Sequence, residues 1–273
     1  MKRKGFVPFQ REGWPETINP EKIKRETAHY KVLDLSKETL IWVSEHGGER
    51  HVHKLYFGRG PISWLREHLF AFRVEREYLA LDYLAKRGVP CSHPVSWTKG
   101  FSPELGGRVE VLSTVEVKNA ISLDDIWKHP ELTLSQKQQY LCESMVLIRR
   151  MHEAGLHHGA MYIRNILFEQ EADELKAPRI IDVPRAIACY HCLVGDPLAT
   201  IDLLQFFEPV AEALGETGLK EALTAYGLNA QEQQVFLQKL KHYRPTKHTR
   251  NKERAYGTWR SLFAKNSKQK SVV

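Results

Sequence analysis

No stretch of the sequence approaches the run of about 18 apolar residues that a membrane-crossing helix needs, so no transmembrane span is expected. The opening segment MKRKGFVPFQREGWPE is basic at its start but lacks the apolar centre of about 7 to 15 residues that a secretory signal requires, and a cytoplasmic location is expected. Cysteine is scarce. Cys91, Cys142, Cys189 and Cys192 are too few and too scattered for a disulfide framework, which agrees with a reducing compartment. Cys189 and Cys192 make one C-x-x-C, but no second pair stands at the spacing a structural zinc needs, and ordinary thiols are expected there. Internal repeats, low-complexity blocks and a Gly/Ser linker are all absent, so nothing divides the chain into independent domains. A G-x-G-x-x-G phosphate loop is absent too.

The 273 residues, 42% hydrophobic and 27% charged, can bury the core of one large domain or two lobes. Their net charge of +7 is uneven: residues 239 to 270 hold eleven Lys or Arg and a single acid, Glu253, so the remainder is slightly acidic. Tyr243, Tyr256, Trp259, Leu262 and Phe263 are interleaved with those cations. Aromatics beside basic residues suit an anionic membrane surface. Nucleic acid is the competing polyanion and the less favoured one, and a plain solvated terminus is the remaining reading.

Short runs with partial alternation, HYKVLDL, ETLIWVSE, ERHVHKLYF, HPVSWTKG and GRVEVLSTVEV, predict five strands, with HGG between the second and third supplying a hairpin turn of positive φ. From Ile62 to Arg87, Phe70, Val74, Glu77, Leu81 and Leu84 recur at intervals suited to one helical face, and RGVP ends that helix. The rest reads as helical: SLDDIW with a Ser cap, TLSQKQQYLCESMVLIRRMHEAG, ATIDLLQFFEPVAEALG and NAQEQQVFLQKLKHY, interrupted by a loop and a strand-like RIIDVPRAIACY. The expected fold is α+β and bilobal, with an antiparallel-sheet lobe over residues 1–118 and a helical lobe over residues 119–273.

Four chemical elements stand in order along this pattern: Lys54 on a strand, Glu77 on the next helix, His158 to Asn165 after a long helix, and Asp182 after two isoleucines. Each has a plainer reading alone, as a surface lysine, a boundary carboxylate, a turn-capping amide and a strand-ending acid. Together they follow the order of protein-kinase-like phosphotransferases, in which a strand Lys paired with a helix Glu holds phosphates while a loop Asn and a later Asp hold magnesium. Glu77 is preferred over Glu75 as the partner of Lys54, since it shares the stripe of Val74 and Leu81. Phosphate charge has to be neutralised and the γ-phosphoryl group aimed, which takes a fixed cation and oxygen ligands for a hard metal.

REYLALDYLAKRGVPCSHPVSW, RRMHEAGLHHGAMYIRNILF and RIIDVPRA resemble the helix, catalytic loop and metal-binding segment of the bacterial lipopolysaccharide kinase family, the Kdo/WaaP family. TIDLLQFF resembles its later helix, where an Asp, here Asp202, braces the loop. The likeness runs from about residue 30 to about residue 255. It implies ATP and Mg2+ as cofactors, and phosphate transfer to a heptose or Kdo of the lipopolysaccharide core. It also implies peripheral attachment at the inner face of the inner membrane, in which the basic C-terminus would take part. The family's phosphate loop is the weakest match, with only Gly47 and Gly48 before Lys54.

Counting five residues back from Asn165, to the position of the catalytic Asp in such loops, reaches Ala160. A positioned general base contributes about 10²- to 10⁴-fold, and a methyl group contributes none of it. Three readings follow: an introduced Asp-to-Ala change, a nucleotide-binding pseudokinase or scaffold, or a kinase using another group. His157 and His158 are the nearest groups for the last, although a histidine at position 158 of this pattern usually packs inward.

Overall fold

The computed structural model describes residues 24–27, 29–36, 39–56, 73–102, 107–171, 174–246, 248–253 and 256–257. Among them the chain divides into two compact units. One runs as far as Asp82 and includes Ser92–Glu116; the other joins Tyr83–Cys91 to the chain from Val117 onward.

The first unit is built on an antiparallel sheet of β1 (Tyr30–Leu35), β2 (Thr39–His46), β3 (Glu49–Tyr56), β4 (Pro94–Ser102) and β5 (Gly107–Val115), in the order β1-β2-β3-β5-β4. All five are the strands the alternation predicts. β2 and β3 are joined by Gly47 and Gly48, at φ 63° and 81°. Two successive positive φ values make a tight hairpin that a side chain would strain. Leu40, Leu55 and Val111 stand in register across three strands and join Tyr30, Val32, Trp42 and Val109 in one apolar cluster. Because strand side chains alternate, Lys54 and Tyr56 project from the opposite face together with Glu110 and Leu112.

Helix α1 (Arg73–Lys86) lies on that second face, where its Val74 N–H donates to the buried Glu110 carboxylate at 3.2 Å. Val74, Glu77, Leu81 and Leu84 are all buried, at the intervals of 3 and 4 that define one side of a helix. The helix ends where Gly88 takes φ 67° and Val89 N–H returns to the Leu84 carbonyl, a glycine stop. The predicted earlier part of this helix, from Ile62 and including Phe70, lies outside the described residues.

In the second unit, α2 (Leu123–Lys128), α3 (Leu134–Glu153) and α6 (Ala230–His242) start in capping boxes at Ser122, Thr133 and Asn229. α3 buries Leu141, Ser144, Met145, Ile148, Met151 and His152, a stripe at helical spacing. Two helices, α4 (Pro197–Phe207) and α5 (Ala211–Tyr226), replace the single one expected around FFEPVAEALG. Pro209 cannot donate the bond a continuous helix would need there. A further break at Gly215, φ 62° and ψ −177°, lies in a region open essentially to glycine. The strand-like RIIDVPRAIACY is two short strands, β10 (Arg179–Ile180) and β11 (Ile187–Ala188), with a loop between them.

β10 pairs with β8 (Ile166–Glu171), which also pairs with β6 (Ala120–Ser122) and β9 (Glu174–Leu175); β11 pairs with β7 (Leu156–His157). These short ladders hold both ends of the loop of residues 158–165, between β7 and β8. Beyond α6 the described chain does not trail away. It forms helical turns over 248–253, and Tyr256 packs on Cys189, Leu193, Leu198 and Ala199. Trp259, Leu262 and Phe263 lie outside the described residues. Among the described residues, no helix is long and apolar enough to cross a membrane.

Candidate functional site

Lys54 Nζ donates to Glu77 Oε1 at 3.4 Å, with the lysine side chain 16% exposed and the glutamate 2%. The second carboxylate oxygen accepts from the Tyr56 hydroxyl at 3.1 Å. Strand alternation places Lys54 and Tyr56 on one face two residues apart, and the helical stripe turns Glu77 inward to meet both. The Arg73 guanidinium stacks over the Tyr56 ring at 4.0 Å from its centroid. Gly47 and Gly48 form the hairpin turn, and a Cβ on either would meet nothing within 4 Å.

The loop that follows α3 is organised around Asp202 of α4, whose side chain is fully buried. Its carboxylate accepts four bonds: from His152 Nε2 at 3.1 Å, His157 Nδ1 at 3.0 Å, the His158 amide at 2.8 Å and the Gly159 amide at 3.0 Å. Burial works to raise the Asp202 carboxyl, but the imidazoles of His157 and His152 outweigh it and hold the group below the ordinary carboxylate range. Tyr226 of α5 closes the network, its hydroxyl 2.8 Å from His152 Nδ1. Burial pushes the Tyr226 phenol up.

His158 is fully buried, donates through Nε2 to the Ile181 carbonyl at 3.2 Å, and is held neutral chiefly by that burial, against the pull of Asp202 and Asp182. Among the described residues its Nδ1 has no hydrogen-bond partner. Both loop histidines therefore face inward. The His157 ring is bonded to the Asp202 carboxylate and the His158 ring to the Ile181 carbonyl, and both residues are buried.

Asn165 ends the 3₁₀ turn Ile163–Asn165 and donates through Nδ2 to the Ala160 carbonyl at 2.8 Å. One side chain thus spans the five residues from position 160 to position 165. With its nitrogen so engaged, the oxygen of the Asn165 amide is the atom able to meet a cation. The Asn165 carbonyl accepts from Ile181 N–H at 3.0 Å, which brings the next residue, Asp182, to the same loop. Asp182 has φ 56°, a left-handed conformation that costs a non-glycine residue energy and that Asp tolerates better than most. Ala160 itself is 8% exposed, and the following amide, Met161 N–H, donates to Gln205 Oε1 at 3.0 Å.

No motif in the sequence points to Tyr56, His152, Gln205 or Tyr226. Only Tyr56 had a signal in the sequence, its position two residues beyond Lys54 on a strand. Cys189 is buried and Cys192 exposed, and neither is in a disulfide. Among the described residues no three His, Cys, Asp or Glu side chains gather as a metal site.

No curated protein matches the sequence. A solved structure described as WaaP in complex with acyl carrier protein is similar with a TM-score of 0.56, at 17% identity, over 82% of this chain and 88% of that one. The BubR1 kinase domain is similar with a TM-score of 0.43, at 13% identity over 67% of this chain and 53% of that one, too remote to support an argument. The first likeness makes the fold a bilobal α+β fold of the protein-kinase type. The model of the lipopolysaccharide kinase (Kdo/WaaP) family matches residues 25–189, more than half of the sequence, and the chain belongs to that family.

Proposed function

We propose that this chain binds ATP with magnesium as a kinase of an inner-core sugar of lipopolysaccharide, heptose or Kdo, would, and that Ala160 leaves it a far better binder than catalyst. The observation that carries this reading is the bond from Asn165 to the Ala160 carbonyl. It keeps the loop in one closed turn while a methyl group occupies the place of the base. Taken one unit at a time, the donors suit the chemistry of the cofactor. Lys54, fixed by Glu77, offers a cation to phosphate oxygens, and Asn165 and Asp182 offer the oxygen ligands a hard divalent ion takes. ATP supplies the phosphoryl group when bound; the chain's own residues orient it and offset its charge.

The test is a comparison of this chain with Ala160→Asp. Nucleotide with magnesium should raise the melting temperature of both, and phosphate transfer to lipopolysaccharide core should appear, or rise by about 10²-fold or more, only in the Asp form. Stabilisation by nucleotide with no transfer from either form would favour a pseudokinase or scaffold in lipopolysaccharide assembly. Loss of stabilisation in both would end the nucleotide reading.

For the partner surface, Lys239, Lys241, Arg244, Arg250 and Lys252 are exposed, and an anionic membrane surface at the inner face of the inner membrane is the proposed partner. Replacing these five by Gln should lower sedimentation with anionic liposomes and leave neutral liposomes unaffected. Because the relative above is described in complex with acyl carrier protein, that protein is a second partner to assay, and the same five-Gln variant tests whether it shares the surface.

A further inference from the structure

The basic C-terminal segment is attached to the catalytic-type loop by a continuous chain of hydrogen bonds. Met161, the residue after Ala160, donates its amide to Gln205 Oε1 at 3.0 Å. Gln205, on the same helix as Asp202 and only 5% exposed, donates through Nε2 to Glu253 Oε2 at 2.9 Å. The other oxygen of Glu253 accepts from the Tyr243 hydroxyl at 3.0 Å, so that the start of the segment beyond α6 and Gln205 of α4 meet on one carboxylate. Four residues further on, Gly257 sits so close to the loop scaffold that a Cβ would approach Ile187 Cδ1 at 2.9 Å and the His157 ring at 3.8 Å. Tyr256 beside it packs on the cluster around Leu193 and Leu198.

Glu253 is the single acid among the eleven cations of residues 239 to 270. A carboxylate surrounded by Lys and Arg would ordinarily pair with them at the surface. Here it is half-buried and turned to a glutamine amide and a phenol. Gln205 is bifunctional, its amide oxygen accepting from the loop and its amide nitrogen donating to the segment. Without Glu253, the Gln205 amide nitrogen would be left buried with nothing to receive its proton. A flipped or displaced Gln205 would then lose the Met161 amide as well.

We propose that Glu253 is a positioning residue for the loop, setting the backbone at Ala160 and Met161 through Gln205, so that the C-terminal segment is a working part of the site and not an appendage. The proposal rests on the functional reading above for the loop's catalytic role, but not for the geometry itself.

Hydrogen–deuterium exchange on the full chain, resolved to the Met161 amide and made without nucleotide, tests it. Glu253→Ala should raise exchange at Met161 about fivefold or more, with the amides of β1 to β5 and of α3 unchanged. Glu253→Gln should restore protection, because an amide can accept from Gln205 and donate to the Tyr243 oxygen. Unchanged exchange in Glu253→Ala, a uniform rise across the chain, or failure of the Gln form to restore protection each overturns the proposal. Should the Ala variant not fold, Tyr243→Phe frees one oxygen of Glu253 alone, and a smaller rise at the same amide is expected; no rise overturns the proposal. In an Ala160→Asp background, adding Glu253→Ala should lower kcat and leave KM for ATP unchanged. If Ala160→Asp shows no turnover, the kinase reading fails while the exchange measurement still decides the role of Glu253.

Discussion

Glu77 is bonded through both carboxylate oxygens, to Lys54 Nζ and to the Tyr56 hydroxyl, in a setting where the carboxylate is 2% exposed. The phenol engages the second oxygen and so helps orient the carboxylate that meets the ammonium. Tyr56→Phe removes one oxygen atom and little volume. It should cost about 1 kcal/mol of stability, and weaken nucleotide binding up to about fivefold if the ammonium position matters to phosphate. Urea denaturation and a nucleotide titration of the two proteins measure both, and an unchanged affinity would reduce Tyr56 to a packing residue. The Lys54 to Glu77 pairing was legible from strand order and helical spacing. The Tyr56 bond was legible only as a shared strand face, because whether a hydroxyl reaches a carboxylate depends on how far the helix stands off the sheet.

At the scale of elements, the loop from Gly155 to Asn165 is held by backbone bonds to a side chain some forty residues later, and by an exact fit at Gly159. That glycine has φ 74°, donates its amide to Asp202 at 3.0 Å, and would place a Cβ 2.7 Å from the Arg185 carbonyl oxygen. Gly159→Ala meets both a backbone penalty of about 1 kcal/mol and a clash with a backbone atom that cannot rotate away. Gly48→Ala, also at positive φ but with open space around it, meets the first alone. Urea midpoints should show Gly159→Ala destabilised by at least about 2 kcal/mol, and Gly48→Ala by about half of that. Equal losses would mean the Arg185 contact relaxes at no cost. The motif announced this loop by its residues, His158, Asn165 and the gap at Ala160. The family resemblance also pointed to Asp202 as its brace, but nothing in the sequence pointed to His152, Tyr226 and Gln205, which lie on helices whose stripes read as ordinary core.

Across the whole molecule, two buried groups make the stability sensitive to acid in the same direction. His158 has its pKa lowered, mainly by burial, so the unfolded chain takes up a proton first as pH falls through the usual imidazole range near about 6.5, and stability declines from there. Asp202 is held below its ordinary range by the His157 and His152 imidazoles despite its burial, so its contribution is full above about pH 4 and is lost as pH falls below that. Urea unfolding free energies measured at pH 7.5, 5.5 and 3.5 should therefore fall at each step. In Asp202→Asn the fall over the last step should shrink, while a profile parallel to the parent's would show that another carboxylate dominates.

The sequence by itself determined the five strands, the hairpin glycines, most helices and the order Lys54, Glu77, Asn165, Asp182, because these depend on local periodicity, caps and motif spacing. It also determined the central chemical fact, a methyl group at position 160. Pro209 was visible, yet the apolar run around it masked the break between α4 and α5, where a missing donor outweighs hydrophobic pattern. The tertiary structure alone decided that His157 turns inward, that His152 joins the Asp202 carboxylate, and that a charge-rich terminus folds back far enough for Glu253 to meet Gln205. Those are contacts between residues 45 to 50 positions apart, and their partners are chosen by which buried donors would otherwise go unpaired, a constraint that exists only once the chain has closed on itself.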